Sequence, residues 1–140
     1  MMLSRSQLLP FLCLLVLGGC ASEERWYTDS QVTAGKALFQ TNCMACHGVE
    51  AVGLGEDWEQ KLPGFPGKPP ALNGSAHAWH HPMKFLLAYI EEGGAALGGK
   101  MPAFGDSLSQ DEKLAIIAYF QSFWDDETYG IWQQVNEQNP

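Results

Sequence analysis

Basic residues are scarce in this 140-residue chain: 8 lysines and arginines stand against 16 aspartates and glutamates, a net charge of −8. That imbalance argues against nucleic acid or an anionic membrane surface as an electrostatic partner. Long hydrophobic stretches are also lacking. The apolar run from Leu8 to Leu17 is interrupted by Pro10, and it falls short of the ~20 residues that a membrane-spanning helix needs. There is no low-complexity tract, no internal repeat and no strand-like alternation. Aromatic residues are not scarce, at 11 %, and the composition is that of an ordinary folded protein, which excludes a disordered chain. The length allows one domain. Cysteine is limited to Cys13, Cys20, Cys43 and Cys46, and each has its own context.

The N-terminus has the form of an export signal. Arg5 is the one charge within residues 1–19, and the apolar run behind it has signal-peptide length. Leu17-Gly18-Gly19-Cys20 resembles the lipobox of bacterial lipoproteins, in which the cysteine is lipidated and becomes the mature N-terminus. On that reading residues 1–19 are a lipoprotein signal peptide and residues 20–28 a lipidated start and linker. The mature chain keeps 7 basic and 16 acidic residues, a net −9. The resemblance also implies a site on the periplasmic side of a bacterial membrane. Ala21 stands where an Asp is the usual inner-membrane retention signal, which favours the outer membrane slightly.

Helical spacing dominates the rest. A first helix is expected to begin near Asp29 or Ser30, either of which can accept N-cap hydrogen bonds. Val32, Gly35, Leu38 and Phe39 share one face of it, and it runs into Cys43. From His47 to Asn73 periodicity is lost, and Pro63, Pro66, Pro69 and Pro70 punctuate a long loop. A structureless loop of that length in a compact domain implies that it wraps a ligand. After Pro82 a second helix carries Met83, Leu86, Leu87 and Ile90 at i, i+3, i+4 and i+7, and Gly93-Gly94 stops it. A third opens at Ser109, with Asp111 and Glu112 in its first turn, and extends to about Trp124. Its apolar face holds Ile116, Ile117, Tyr119, Phe120, Phe123 and Trp124. Residues 125–140 form an acidic, weakly periodic tail with one short helix through Tyr129, Trp132 and Val135. The fold class is all-α.

Cys43-Met44-Ala45-Cys46-His47 fits C-x-x-C-H, the attachment pattern for c-type haem. Two thiols three residues apart on a helical turn can both reach the vinyl groups of one porphyrin, and the next residue then aims its imidazole at the iron. A thioredoxin-like redox pair would want a βαβ context, which is missing. A zinc site would need a second ligand pair. The cysteine account closes on this reading: Cys13 leaves with the signal, Cys20 takes lipid, and Cys43 and Cys46 take haem, so none remains for a disulfide.

From about Asp29 to Trp124 the chain resembles a class I, cytochrome c-like monohaem domain. Residues 29–124 are therefore expected to form three to five helices around one covalently bound haem c. Gly35 and Phe39 match the family's first-helix glycine and aromatic positions, where the C-terminal helix crosses closely, and Tyr119 resembles the aromatic counterpart. Pro70-Ala71-Leu72 matches the family's Pro-x-Leu. The resemblance implies that the Pro70 carbonyl accepts the Nδ1–H of His47 and fixes its orientation. Met101-Pro102-Ala103-Phe104 resembles the loop that supplies a methionine sulfur as sixth ligand.

Other candidates compete for that sixth position. Met44 lies inside the attachment turn, on the wrong side of the ring. Met83 belongs to a predicted apolar helix face, where methionine is usually core filler. Met101, in a Gly-flanked loop stiffened by Pro102, is favoured. His77, His80 and His81 remain as rivals, with a solvated or cofactor-rim position as the plainer alternative. Trp79, among them, is a candidate indole N–H donor to a haem propionate.

An iron with both axial positions filled by protein has no open site for substrate. The expected function is single-electron transfer between a donor and an acceptor redox protein, without a small-molecule substrate. Two alternatives remain: a haem subunit of a periplasmic oxidoreductase complex, and a gas sensor with a labile sixth ligand. No general base or second cofactor motif points to an enzyme. Acidic clusters at Glu56-Asp57-Glu59, Glu91-Glu92, Asp111-Glu112 and Asp125-Asp126-Glu127 are either solvated surface or a docking face for a basic partner.

Overall fold

The computed structural model describes residues 24–65 and 67–140. The expected lipid-bearing Cys20 and the signal peptide lie outside the described residues. Among these, every regular element is helical and there is no strand. Helix α1 spans Asp29–Asn42, α2 Met44–His47, α3 Trp58–Lys61, α4 Met83–Glu92, α5 Gln110–Gln121 and α6 Asp126–Glu137, with short 3₁₀ turns at Val49–Ala51, Ala78–His80 and Ala95–Leu97. The all-α expectation holds.

Helix α1 starts one residue earlier than the expected caps imply. Thr28 is the N-cap, and its side chain and that of Gln31 form a reciprocal capping box. Ser109 and Glu112 repeat the device at α5. Both are the S/T-x-x-E/Q pattern that satisfies orphan N–H groups at a helix start. Helix α1 crosses α5 at Gly35, where an added Cβ would stand 1.8 Å from the Ala115 carbonyl oxygen. Close to that crossing, the Phe39 and Tyr119 rings pack with centroids 5.2 Å apart. Lys113 of α5, 4 % exposed, pairs with Glu91 of α4 and ties those two helices together.

Three expectations change. The stretch from His47 to Asn73, expected to be a structureless loop, holds the 3₁₀ turn Val49–Ala51 and helix α3, short elements whose length is too small for periodicity to show. Helix α5 ends at Gln121, and the residues after it turn. Trp124 still reaches the core, but Phe123 is turned outward. The segment set apart as a tail contributes to the core. Asp125 caps α6 by accepting from the Thr128 N–H, and Tyr129 and Trp132 are 1 % and 2 % exposed. The Tyr129 hydroxyl accepts from the Trp26 N–H at 2.9 Å. Arg25 lies over the Tyr129 ring, 3.9 Å from its centroid, and pairs with Asp126 at 2.7 Å. Trp26 donates its indole N–H to buried Gln121 at 2.6 Å. Arg25 and Trp26, ahead of α1, are thus fastened to α5 and α6.

Candidate haem site

A cavity of about 590 Å³ lies between the α1–α2 corner, the loop before Ala78, helix α4, the Met101 loop and α5. That volume falls in the range of pockets that hold small molecules and cofactors. Cys43, Cys46, His47, Pro70 and Met101 all line it. The sequence-predicted residues, spread over nearly sixty positions, therefore meet on one space.

The attachment turn is set by helix geometry. Cys43 ends α1, its N–H bonding to the Phe39 carbonyl, and at once starts α2. Its own carbonyl accepts from the N–H groups of Cys46 and His47 at 3.1 and 2.9 Å. Both cysteines are free thiols. Burial pushes the Cys43 thiol up to about 11, and the neighbouring Cys46 adds to the rise. Redox-active and metal-binding cysteines are held low as thiolates. Cys43 is held high instead, and both half-buried side chains border the same largely apolar cavity.

The buried His47 ring has one nitrogen committed: Nδ1 donates to the Pro70 carbonyl at 2.8 Å. Burial lowers the His47 pKa, and the Pro70 hydrogen bond partly opposes this, so the ring is favoured as neutral imidazole. Only Nε2 is left to act as a ligand, the arrangement expected when an outer partner fixes a ligating histidine. Pro70 is held in turn. The Leu72 and Asn73 N–H groups both donate to the Ala51 carbonyl, at 2.8 and 3.2 Å. Trp124 donates its indole N–H to the Leu72 carbonyl at 2.8 Å. Ala51 is fully buried and has φ +59°, next to Glu50 at +52°. Such left-handed backbone in residues other than glycine is costly, and it concentrates at functional sites. Sequence reasoning passed over Ala51 and placed Trp124 only on an apolar helix face, without its hydrogen bond to Leu72. Their roles depend on partners 21 and 52 residues away, which no local spacing reveals.

Met101 is the one methionine among the described residues that borders the cavity; Met44 and Met83 pack against the core without reaching it. Its backbone is fixed by the end of α4: the Gly94 N–H donates to the Met101 carbonyl at 2.9 Å, and the Phe104 N–H to the Ile90 carbonyl at 2.9 Å. Asn42, Lys68, His77, His81, Tyr89 and Lys100 add polar groups to a largely apolar wall. Trp79 does not line the cavity and packs, partly buried, against the core. The donor set (two thiols, one oriented imidazole, one thioether) on one largely apolar cavity fits a covalently held haem.

Comparison with known proteins agrees with this chemistry. Residues 30–120 match the family described as "Cytochrome C oxidase, cbb3-type, subunit III". A curated relative, the "Cbb3-type cytochrome c oxidase subunit FixP" of Sinorhizobium medicae (strain WSM419), is 32 % identical over 97 residues, covering 65 % of this chain. The match takes in 29 % of that relative, so the chain spans less than a third of its length. No solved structure matches the chain. With most of its length matched, the chain belongs to the cytochrome c oxidase, cbb3-type, subunit III family and is a c-type cytochrome with covalently bound haem c.

Proposed function

We propose that the protein is a single-electron carrier whose haem is attached through Cys43 and Cys46, ligated by His47 and Met101, and tethered through Cys20 to the periplasmic side of a bacterial membrane. The observation that carries the ligand assignment is the His47–Pro70 hydrogen bond of 2.8 Å. It leaves one imidazole nitrogen free in a cavity that Met101 also borders. When bound, haem supplies reversible one-electron exchange at its iron. The chain's own contribution is to orient the imidazole, place the thioether, exclude water with the apolar wall and leave no vacant position for a substrate. Donor and acceptor are redox proteins at the same membrane. The acidic surface favours a basic docking face on the partner, and electron exchange should then slow as salt is added.

The test is an optical spectrum of the holoprotein. A methionine–iron band in the oxidised form, with no carbon monoxide binding in the reduced form, is the expected result. Met101→Ala should abolish the band, admit carbon monoxide stoichiometrically and lower the midpoint potential. A wild-type protein that binds carbon monoxide would overturn the closed-site assignment and favour a gas-binding role.

A second reading has its own support. The relative's name is that of an oxidase subunit, which favours service as a haem subunit within a larger membrane complex. Mild detergent extraction separates the two. A free carrier migrates alone, whereas a subunit co-migrates with other redox centres.

A further inference from the structure

His77, His80 and His81 are not needed for the electron-carrier assignment. They occupy a single 3₁₀ turn and its flanks. One nitrogen from each ring lies within 4.8 Å of the other two. The ring centroids are 5.4 Å apart for His77–His80, 5.6 Å for His77–His81 and 4.6 Å for His80–His81. No hydrogen bond or ion pair engages any of these rings among the described residues. The backbone beneath them is fixed. His81 N–H bonds to the Ala78 carbonyl at 3.2 Å, Trp132 of α6 donates its indole N–H to the His81 carbonyl at 3.1 Å, and Ala78 is buried. The His81 ring is further oriented by stacking on Phe85, at 4.4 Å and 18°.

Three imidazoles gathered without a carboxylate or thiolate form an all-nitrogen donor set. Such a set is poor for calcium or magnesium, which take oxygen, and good for zinc, copper, nickel or cobalt. Tetrahedral zinc with Zn–N of 2.0–2.1 Å needs donors roughly 3.3 Å apart. His77 and His80 are exposed and His81 is half-buried, so small rotations of the rings on their fixed turn can close the remaining gap.

We propose that His77, His80 and His81 bind one divalent transition-metal ion of the zinc and copper class, with a fourth position open, at the rim of the haem cavity. His77 and His81 border that cavity and His80 does not. A dication held there favours the less positive, reduced iron and so raises the haem midpoint potential. The metal site does not need Met101 on the iron, only that none of these three rings is there; the shift in potential rests on the proposed haem filling the cavity.

The experiment uses tag-free holoprotein and zinc ion. Calorimetric titration should give one zinc per chain. His80→Ala should weaken it by at least about tenfold, the lower range for losing even an outer partner of a metal site. The haem spectrum should stay unchanged, because His80 does not reach the cavity. His80→Gln should behave alike and guards against a folding artefact. Zinc should raise the midpoint potential of the wild type and leave that of either variant where it was. Absence of saturable one-to-one binding, or equal affinity in the His80 variants, would overturn the site. A wild-type spectrum showing two histidines on the iron would also overturn it, since one ring would then be committed elsewhere. Zinc binding lost in the variants without any shift in potential upholds the site and overturns its effect on haem.

Discussion

Gly93 controls where Met101 can lie. It ends α4 with φ +75°, and a Cβ there would stand 2.6 Å from the Met101 carbonyl oxygen and 2.8 Å from the Ala103 nitrogen. Those are backbone atoms, which a rotamer change cannot clear. Gly93→Ala is therefore expected to displace the Met101 loop while the thioether bonds at Cys43 and Cys46 still form. The holoprotein should keep its full haem content, lose most of the methionine–iron band and show a lower potential; an undiminished band would show that the loop absorbs the methyl. The residues of the site differ in how legible they are. Cys43, Cys46 and His47 declare themselves because their chemistry depends on spacing within one helical turn. Met101 emerges only by weighing it against Met44 and Met83, and Pro70 only by resemblance. The Ala51 carbonyl and the Trp124 indole, which hold the Pro70 segment in place, act through contacts distant in sequence.

Helix ends and crossings follow the same division. The crossing of α1 and α5 needs Gly35, since an added methyl meets the Ala115 carbonyl at 1.8 Å and Tyr119 Cβ at 3.0 Å. Overpacking of this kind costs about 1–3 kcal/mol, and a clash with backbone belongs at or beyond the upper end. Gly35→Ala should lower the thermal midpoint clearly, as followed by circular dichroism. At the start of α5, loss of the Ser109 cap should cost about 1 kcal/mol, so Ser109→Ala should produce a smaller drop in the same measurement. The hydrogen bonds from the Ser109 backbone and hydroxyl hold the Glu112 carboxyl below its ordinary value. A depressed carboxylate stabilises the fold above its unfolded-state pKa, and that contribution is lost as pH falls through the folded-state value. The gap between wild type and Ser109→Ala should therefore narrow on acidification, not on raising the pH. Helix α6, expected only as one short helix in a tail, is longer and more buried than that. Its apolar stripe is thin and its surroundings acidic, so its stability comes from tertiary burial of Tyr129 and Trp132 rather than from periodicity. Trp132→Ala should cost about 3–5 kcal/mol, far more than an exposed tail residue could.

For the whole molecule the proposed membrane location raises the question of what would hold it there. The chain carries a net charge of −8, so anionic lipid repels it. No helix among the described residues is long and apolar enough to cross a bilayer. Much of the acidic surface is also engaged locally: Asp57 pairs with Lys61, Asp126 with Arg25 and Glu91 with Lys113, while Glu112 and Asp125 serve as caps. Attachment in the proposed reading rests on lipid at Cys20, and two or more acyl chains suffice for a stable anchor. In that reading five residues of chain lead from Cys20 to Arg25, which is fastened to α6, and five residues span at most roughly 18 Å. A domain on so short a leash can exchange electrons only with partners close to the same surface. Cys20→Ala is expected to move the protein from the membrane fraction to the soluble fraction while its haem content per chain stays unchanged, because Cys20 has no part in the haem site. Retention of the variant in carbonate-washed membranes would defeat the lipid anchor and leave the Leu8 to Leu17 segment, or a partner protein, as what holds the domain in place.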